Sequence, residues 1–268
     1  MRILVTRPQP QSETFAERLK QQGHDPVAVP LSEIIPFTSV FDTGFETNSD
    51  TRPEFETACR IVMELDNYQK VIAVSVNAAR YGAEVIDRYW PQWPAGIQWF
   101  AVGSKTAAEL ESWGQPVKAP NDMSSEGLLV MEELQQLDYE KVLLLCGEGG
   151  RELLQRDLEQ RGAQVQRCEL YRRQEPISAE GDLTLALQSH ASQPFDAITV
   201  TSGEILHTLY QLLNKLPQPG GGGTPLFATA LIVPSERIAQ QANTMGWQKV
   251  ILARNATDEA MLVALQEI

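Results

Sequence analysis

Hydroxyl and amide side chains follow several apolar segments of the chain, at points where a helix is expected to begin. These turns, at 75–77, 103–106, 201–203 and 234–237, contain Ser75, Asn77, Gly103, Ser104, Thr201, Ser202 and Ser235. The first turn of a helix has unpaired backbone N–H groups and the positive end of the helix dipole, so it can bind carboxylate or phosphate. The same side chains also act as ordinary helix caps, which contribute about 1 kcal/mol each. Both interpretations stay open for any single turn.

Tyr171 and three arginines are further candidates for chemistry. Tyr171 ends a predicted strand, Val165–Tyr171, where the chain is expected to leave one domain. A phenol can donate a hydrogen bond or a proton to a leaving group, although a tyrosine at a strand end often only packs there. Arg7, Arg151 and Arg237 are candidate anion clamps. A lone arginine is more often a solvated surface charge.

Charge and composition exclude several classes of protein. The 268 residues carry a net charge of −13, with 22 Lys and Arg against 35 Asp and Glu. A nucleic-acid partner needs a basic footprint, which this balance does not supply.

A content of 43% hydrophobic and 21% charged residues is typical of a globular chain. Apolar runs stay below the roughly 18 residues of a membrane span, and the N-terminus lacks a signal-peptide layout. We therefore expect a cytoplasmic protein with no membrane partner.

Cysteine, histidine and glycine patterns argue against a metal or nucleotide cofactor. Cys59, Cys146 and Cys168 show no paired spacing, and the last two lie in predicted core strands as small buried hydrophobes. The three histidines do not cluster with other ligand residues, so no metal is expected. The turn 147–150 follows a strand and opens a helix, but Glu152 occupies the third glycine position of a dinucleotide fingerprint. We expect no cofactor.

The stretch Lys141–Pro176 is the clearest structural unit of the sequence. Its apolar run predicts a buried strand, followed by a glycine turn, a helix that stops at Gly162, and a second strand. The segment Arg2–Pro36 has the same plan, with Gly23 as the helix stop. Two such units at a wide separation predict two similar domains.

The matching units lie at the start of one half of the chain and at the end of the other. The sequence therefore predicts that residues 1–36 join 172–268 in one discontinuous domain, and that 37–171, which opens on an irregular segment, form an inserted domain. Linker strands near 31–37 and 171–176 would connect them. Alternating strands and helices predict an α/β fold, with two similar open, mostly parallel sheets and helices on both faces. Ligands of such sheets collect at the carboxyl ends of the strands, so we expect a cleft lined by the hydroxyl-rich turns.

Several segments in order resemble the uroporphyrinogen-III synthase family. They are VTRPQPQSETFAERLKQQG, AVSVNAARYG, FAVGSKTAAEL, GEGGRELLQRDLEQRGAQVQRCELYRR, TVTSGEILHTL, IVPSERIAQQANTMGW and NATDEAMLVAL. The similarity covers nearly the whole chain. Each motif is weak alone, and their order and spacing together are specific.

The resemblance implies a cofactor-independent lyase of tetrapyrrole biosynthesis, and we expect a monomer. Its substrate would be hydroxymethylbilane, a linear tetrapyrrole with eight carboxylates, closed to uroporphyrinogen III with loss of water and inversion of ring D. The family's tyrosine that assists departure of the ring A hydroxyl corresponds to Tyr171. Its hydroxyl-bearing residues at strand ends correspond to Ser75, Asn77, Ser104, Thr201, Ser202 and Ser235.

Two features depart from the family pattern. Ala73 and Val74 precede Ser75 where the family usually has Phe and Thr, and the run Gly220–Gly223 is additional. Two other classes of function stay open from the residues alone. One is a non-catalytic, two-lobed protein that binds an anion, and the other is a nucleotide-dependent enzyme.

Overall fold

A computed structural model of the protein describes residues 1–37, 52–122, 124–150, 152–189, 194–215 and 225–268. Most of the irregular segment expected at 37–53 lies outside the described residues, as do the glycine run at 220–223 and Arg151. The chain divides into two compact units. Unit 1 comprises Met1–Glu33 and Gln174–Ile268, and unit 2 comprises Ile34–Arg173.

The described residues form short strands that alternate with helices. The strands are β1 (Arg2–Val5), β2 (Asp25–Ala28), β3 (Glu33–Pro36), β4 (Lys70–Ala73), β5 (Gln98–Ala101), β6 (Val117–Lys118), β7 (Lys141–Cys146), β8 (Gln164–Glu169), β9 (Tyr171–Gln174), β10 (Ala197–Thr199), β11 (Ala230–Val233) and β12 (Val250–Leu252). The helices are α1 (Gln11–Gln21), α2 (Arg52–Met63), α3 (Val76–Tyr89), α4 (Ser104–Glu111), α5 (Ser125–Leu129), α6 (Leu153–Gln160), α7 (Ala179–Ser189), α8 (Gly203–Lys215), α9 (Glu236–Thr244) and α10 (Asp258–Ala264). Single 3₁₀ turns lie at Leu65–Asn67, Glu132–Leu134, Pro225–Ala228 and Leu265–Glu267.

Each unit contains a parallel sheet. The order is β12-β11-β10-β1-β2 in unit 1 and β6-β5-β4-β7-β8 in unit 2, and the neighbouring strands pair in parallel. The two orders are the same when β1 is matched with β7, because the strand–helix–strand unit that starts one chain segment ends the other. The prediction of two similar open, parallel α/β sheets is therefore confirmed.

Both faces of each sheet are covered. In β1, Leu4 packs with residues of α7, α8 and α9, whereas Ile3 and Val5 pack with residues of α1 and α10. In β7, Leu143 and Leu145 belong to one core and Val142 and Leu144 to the other. Successive residues of a strand point to opposite faces of the sheet. A strand that is buried on both faces therefore has a continuous run of apolar residues in its sequence.

The strand expected at Val165–Tyr171 is wrong in its extent. β8 ends at Glu169 and β9 begins at Tyr171, and β9 pairs with β3 in a separate two-stranded sheet. The break lies at Leu170, whose N–H still donates to Cys146 O at 2.9 Å while its own oxygen accepts from Phe37 N at 2.8 Å. The strand changes its pairing partner there, so Tyr171 begins a new strand and does not end the old one.

A membrane-spanning helix is not present in the described part of the chain. The helices found there are too short or too polar to cross a bilayer.

Substitution of Gly162 tests the role of the glycine that ends the helix in the repeated strand–helix–strand unit. Its φ is +94°, and a Cβ at this position would lie 2.9 Å from Asp138 Oδ1 and 3.1 Å from Asp138 Cα. We expect Gly162→Ala to lower the free energy of unfolding by about 2 kcal/mol, because alanine disfavours a positive φ and the contact adds to that cost. Thermal unfolding followed by circular dichroism measures the change.

Gly181→Ala is the matched control. Gly181 lies in α7, and an added Cβ would meet no heavy atom within 4 Å. Alanine should raise stability there by about 0.5–1 kcal/mol, because glycine is the poorer helix former. Equal responses of the two variants would contradict the assigned strain at Gly162.

Candidate active site

Ser75 starts helix α3 and anchors the site in unit 2. Its backbone is extended, with φ −162° and ψ 163°, and its Oγ accepts a hydrogen bond from Ala78 N at 3.1 Å. This is the arrangement of a helix N-cap. Asn77 lies half-buried in the first turn of the same helix.

Tyr171 meets Ser75 through the side-chain hydroxyls. Tyr171 Oη lies 3.0 Å from Ser75 Oγ, a hydrogen bond in which either oxygen can donate. The tyrosine is only 2% exposed. Its backbone oxygen accepts a hydrogen bond from Glu148 N at 2.8 Å, which connects the start of β9 to the turn after β7. The structure thus brings together two residues that the sequence proposed separately.

The glycine turn after β7 makes room for the phenol. A Cβ on Gly147 would lie 2.6 Å from Tyr171 Cζ and 2.7 Å from Cε2. Tyr81 packs on the phenol with a ring-centroid distance of 6.0 Å, and burial raises the pKa of Tyr81 while nearby Arg80 partly opposes the shift. Gly147 and Tyr81 were not predicted as site residues. The sequence predicts the turn 147–150 as part of the strand–helix–strand unit, but it gives no signal that Gly147 makes room for a phenol, and the repeat pattern carries no signal for Tyr81.

Gly103 and Ser104, two further predicted residues, follow β5, which is the neighbour of β4 in the unit 2 sheet. Gly103 is the N-cap of α4, and Ser104 is the first residue of that helix and is exposed. The turn expected at 103–106 is therefore shorter than predicted, because the helix already begins at Ser104. Because β5, β4 and β7 are parallel neighbours, their carboxyl ends share one edge of the sheet. Arg151 lies outside the described residues, so its predicted role stays untested.

In unit 1 the predicted hydroxyl residues again lie at helix starts. Ser202 Oγ accepts from Ile205 N at 3.2 Å, and Ser235 Oγ accepts from Ile238 N at 3.5 Å. Thr201 directly precedes Ser202 and is half-buried. These residues follow β10 and β11, which are parallel neighbours. They therefore share one edge of the unit 1 sheet.

Arg7 is held by an internal ion pair. The residue is 5% exposed, its Nη1 pairs with Asp258, and its Nη2 donates to Ala256 O at 3.0 Å. The guanidinium carbon lies 4.3 Å from the ring centroid of Phe15. Burial lowers the pKa of Arg7, and the Asp258 carboxylate opposes that shift. A role for Arg7 in binding substrate stays a prediction, and a substrate carboxylate there would have to share the guanidinium with Asp258.

Two buried cysteines in the unit 2 sheet are poorly suited to nucleophilic chemistry. Burial raises the pKa of Cys146 to about 11 and also raises the pKa of Cys168. A thiol with a raised pKa is a poor nucleophile near neutral pH. Within the described ranges, no group of three or more His, Cys, Asp or Glu side chains is placed to hold a metal ion.

Asp258→Asn tests the ion pair of Arg7. The substitution leaves a buried guanidinium without its carboxylate, so we expect the free energy of unfolding to fall by about 3 kcal/mol. Chemical denaturation measures this loss. The control is Asp25→Asn, whose partner is Arg2 and whose side chain is 62% exposed. Exposed pairs contribute about 1 kcal/mol or less, so an equal loss in both variants would contradict a special role for the buried pair.

Comparison with known proteins adds sequence and fold similarity to this geometry. A family model described as Uroporphyrinogen-III synthase HemD matches residues 13–263. The uroporphyrinogen-III synthase of Salmonella typhimurium strain LT2 is 33% identical over 268 residues, covering 99% of this chain and 100% of the relative. The uroporphyrinogen-III synthase of Escherichia coli K12 is 33% identical over 271 residues, with the same coverage.

Two solved structures share the fold at low sequence identity. A mutant uroporphyrinogen III synthase from the extremely thermophilic bacterium Thermus thermophilus aligns with a TM-score of 0.60 and 17% identity, covering 100% of both chains. The uroporphyrinogen-III synthetase of Helicobacter pylori 26695 aligns with a TM-score of 0.54 and 14% identity, again over 100% of both chains. With the match to residues 13–263 and the full-length relatives, the chain belongs to the uroporphyrinogen-III synthase family.

Proposed function

We propose that this protein closes hydroxymethylbilane to uroporphyrinogen III, with inversion of ring D and loss of water. The observation that carries the proposal is the 33% identity to named uroporphyrinogen-III synthases along 99% of the chain. The activity is that of a lyase in tetrapyrrole biosynthesis. The buried hydroxyl of Tyr171 beside Ser75 supports it, because it offers a proton donor without a metal or cofactor.

Tyr171 assists the departure of the ring A hydroxyl. The bond between the hydroxymethyl carbon and its oxygen breaks, and the leaving hydroxide takes the phenol proton to form water. The substituted carbon of ring D attacks the resulting protonated azafulvene and forms a spiro intermediate, which fragments and closes again with ring D reversed. The closed macrocycle then loses one proton, which restores the phenol. One substrate thus gives one product and one water.

The helix starts bind the substrate carboxylates. Backbone N–H groups at the beginnings of α3, α4, α8 and α9 carry the positive ends of helices of 14, 8, 13 and 9 residues. The residues assigned to this role are Asn77, Gly103, Ser104, Thr201, Ser202 and Ser235. Local sites of this kind hold anions although the whole chain has a net charge of −13. Orientation of the folded substrate supplies several kcal/mol, at order of magnitude, without a strong acid–base pair.

The assembly and organisation of the protein follow the same proposal. We infer a monomer that works in the cytoplasm without a cofactor, nucleic acid or membrane. The proposed domains are 1–36 with 172–268, and 37–171, with linker strands near 31–37 and 171–176. The boundaries of the compact units fall after Glu33 and after Arg173, which lie in β3 and β9.

Freshly prepared hydroxymethylbilane tests the function directly. The purified protein should convert it to the type III isomer, whereas spontaneous closure gives the uninverted type I isomer. Separation of the two isomers after oxidation measures the outcome. If only the type I isomer formed although the bilane bound, the protein would be a two-lobed anion-binding protein and the proposed activity would be wrong.

Tyr171→Phe tests the proton donor. We expect kcat to fall by about tenfold to a hundredfold, because general acid catalysis is lost while the ring still packs. The loss of one hydrogen bond should lower the free energy of unfolding by only about 1 kcal/mol. Tyr139→Phe is the matched control, since that tyrosine is 89% exposed in the same unit. Unchanged turnover in Tyr171→Phe would reduce Tyr171 to a packing residue.

A further inference from the structure

Ser75 has few hydrogen-bonding positions left for a substrate. A serine hydroxyl has one donor and two acceptor positions. The N–H of Ala78 occupies one acceptor position at 3.1 Å, and Tyr171 Oη at 3.0 Å occupies another position. One position therefore remains, and the two occupied ones orient the hydroxyl toward the phenol. This geometry differs from that of a side chain open to a carboxylate.

Gly147 confines the phenol from another side. Its missing side chain leaves the space that the Tyr171 ring fills, since a Cβ would lie 2.6 Å from Cζ and 3.0 Å from Oη. The turn cannot easily move away, because Glu148 N donates to Tyr171 O at 2.8 Å and Arg167 Nη2 reaches Gly147 O at 3.5 Å. A side chain at 147 would therefore displace the ring.

We propose that Ser75 and Gly147 are positioning residues for Tyr171, and that Ser75 acts on the reaction through the phenol and does not hold a substrate carboxylate. This inference rests on the proposed function. In this arrangement the Ser75 hydroxyl donates a hydrogen bond to Tyr171 Oη and keeps its proton, so the phenol proton is free to move to the departing hydroxide. The phenolate formed by that transfer keeps the Ser75 hydrogen bond and lies beside the positive end of the 14-residue helix α3. It regains its proton from the closed macrocycle.

A double-variant cycle tests the role of Ser75. We expect Ser75→Ala to lower kcat about three- to tenfold, the equivalent of one hydrogen bond, with KM changed less than about twofold. Ser75→Thr keeps a hydroxyl and should restore most of the rate. Because Ser75 acts through the phenol, Ser75→Ala should cause no further loss in the Tyr171→Phe background.

Ser124→Ala controls for the loss of a helix cap. Ser124 Oγ accepts from Gly127 N at 2.9 Å at the start of α5 in the same unit, and it donates to Asp122 Oδ2 at 3.0 Å. This variant loses a cap of the same kind, so its kcat should equal that of the parent protein. An equal fall in kcat for Ser124→Ala and Ser75→Ala would overturn the proposal.

Gly147→Ala gives an independent test, because it removes no hydrogen-bonding group. We expect kcat to fall about ten- to a hundredfold through displacement of the phenol, and the double variant with Tyr171→Phe should be no slower than Tyr171→Phe alone. Each variant is first shown by circular dichroism to be folded at the assay temperature. If Gly147→Ala did not fold, the double-variant cycle of Ser75→Ala and Tyr171→Phe would decide whether the proposal holds.

Three further results would overturn the proposal. One is a rise in KM without a fall in kcat for Ser75→Ala, which indicates direct contact with substrate. The second is multiplicative losses in the double variants, and the third is full activity of Gly147→Ala. These results differ from failure of the proposed function itself, in which the unmodified protein would make no type III isomer.

Discussion

The hydrogen bond between Tyr171 Oη and Ser75 Oγ, at 3.0 Å, is the contact on which the candidate site depends. A buried hydroxyl without a hydrogen-bond partner is costly. Helix α3 and strand β9 must therefore keep their relative positions for the two hydroxyls to remain bonded. Ser75 is fixed by the first turn of α3, and Tyr171 by the first residue of β9. Gly147, in the turn after β7, leaves the space that the Tyr171 ring fills. Three separate parts of unit 2 thus determine the position of one phenol.

The two sheets share a scaffold but differ in chemistry. β1, α1 and β2 have the plan of β7, α6 and β8, and the helix-ending glycines Gly23 and Gly162 have φ values of +78° and +94°. In unit 2 the chain after β8 delivers a phenol to the sheet edge. In unit 1 the chain after β2 runs through Leu31 and Ser32 and offers no phenol. The duplicated architecture therefore provides helix N-termini in both units, whereas the proposed proton donor, Tyr171, lies in unit 2.

Local patterns in the sequence predict much of this structure. Apolar runs identify the buried strands, glycines identify the helix ends, and Ser75 and Ser235 are helix caps as expected. The break at Leu170 could not be predicted, because that residue continues the apolar pattern and only its pairing partner changes. Hydrogen bonds and ion pairs between residues far apart in the sequence could not be predicted either. Ser75 and Tyr171 are 96 positions apart and Arg7 and Asp258 are 251 apart, so no spacing rule links them.

Nuclear magnetic resonance of protein labelled with ¹³C at tyrosine Cζ tests the central contact most directly. The chain has six tyrosines, and the signal of Tyr171 is the one that disappears in Tyr171→Phe. We expect this signal to shift when Ser75 is replaced by alanine, because the phenol oxygen loses its hydrogen-bond partner, and to stay in place when Ser124 is replaced. A Tyr171 signal that is the same with and without the Ser75 hydroxyl would contradict the hydrogen bond between the two residues.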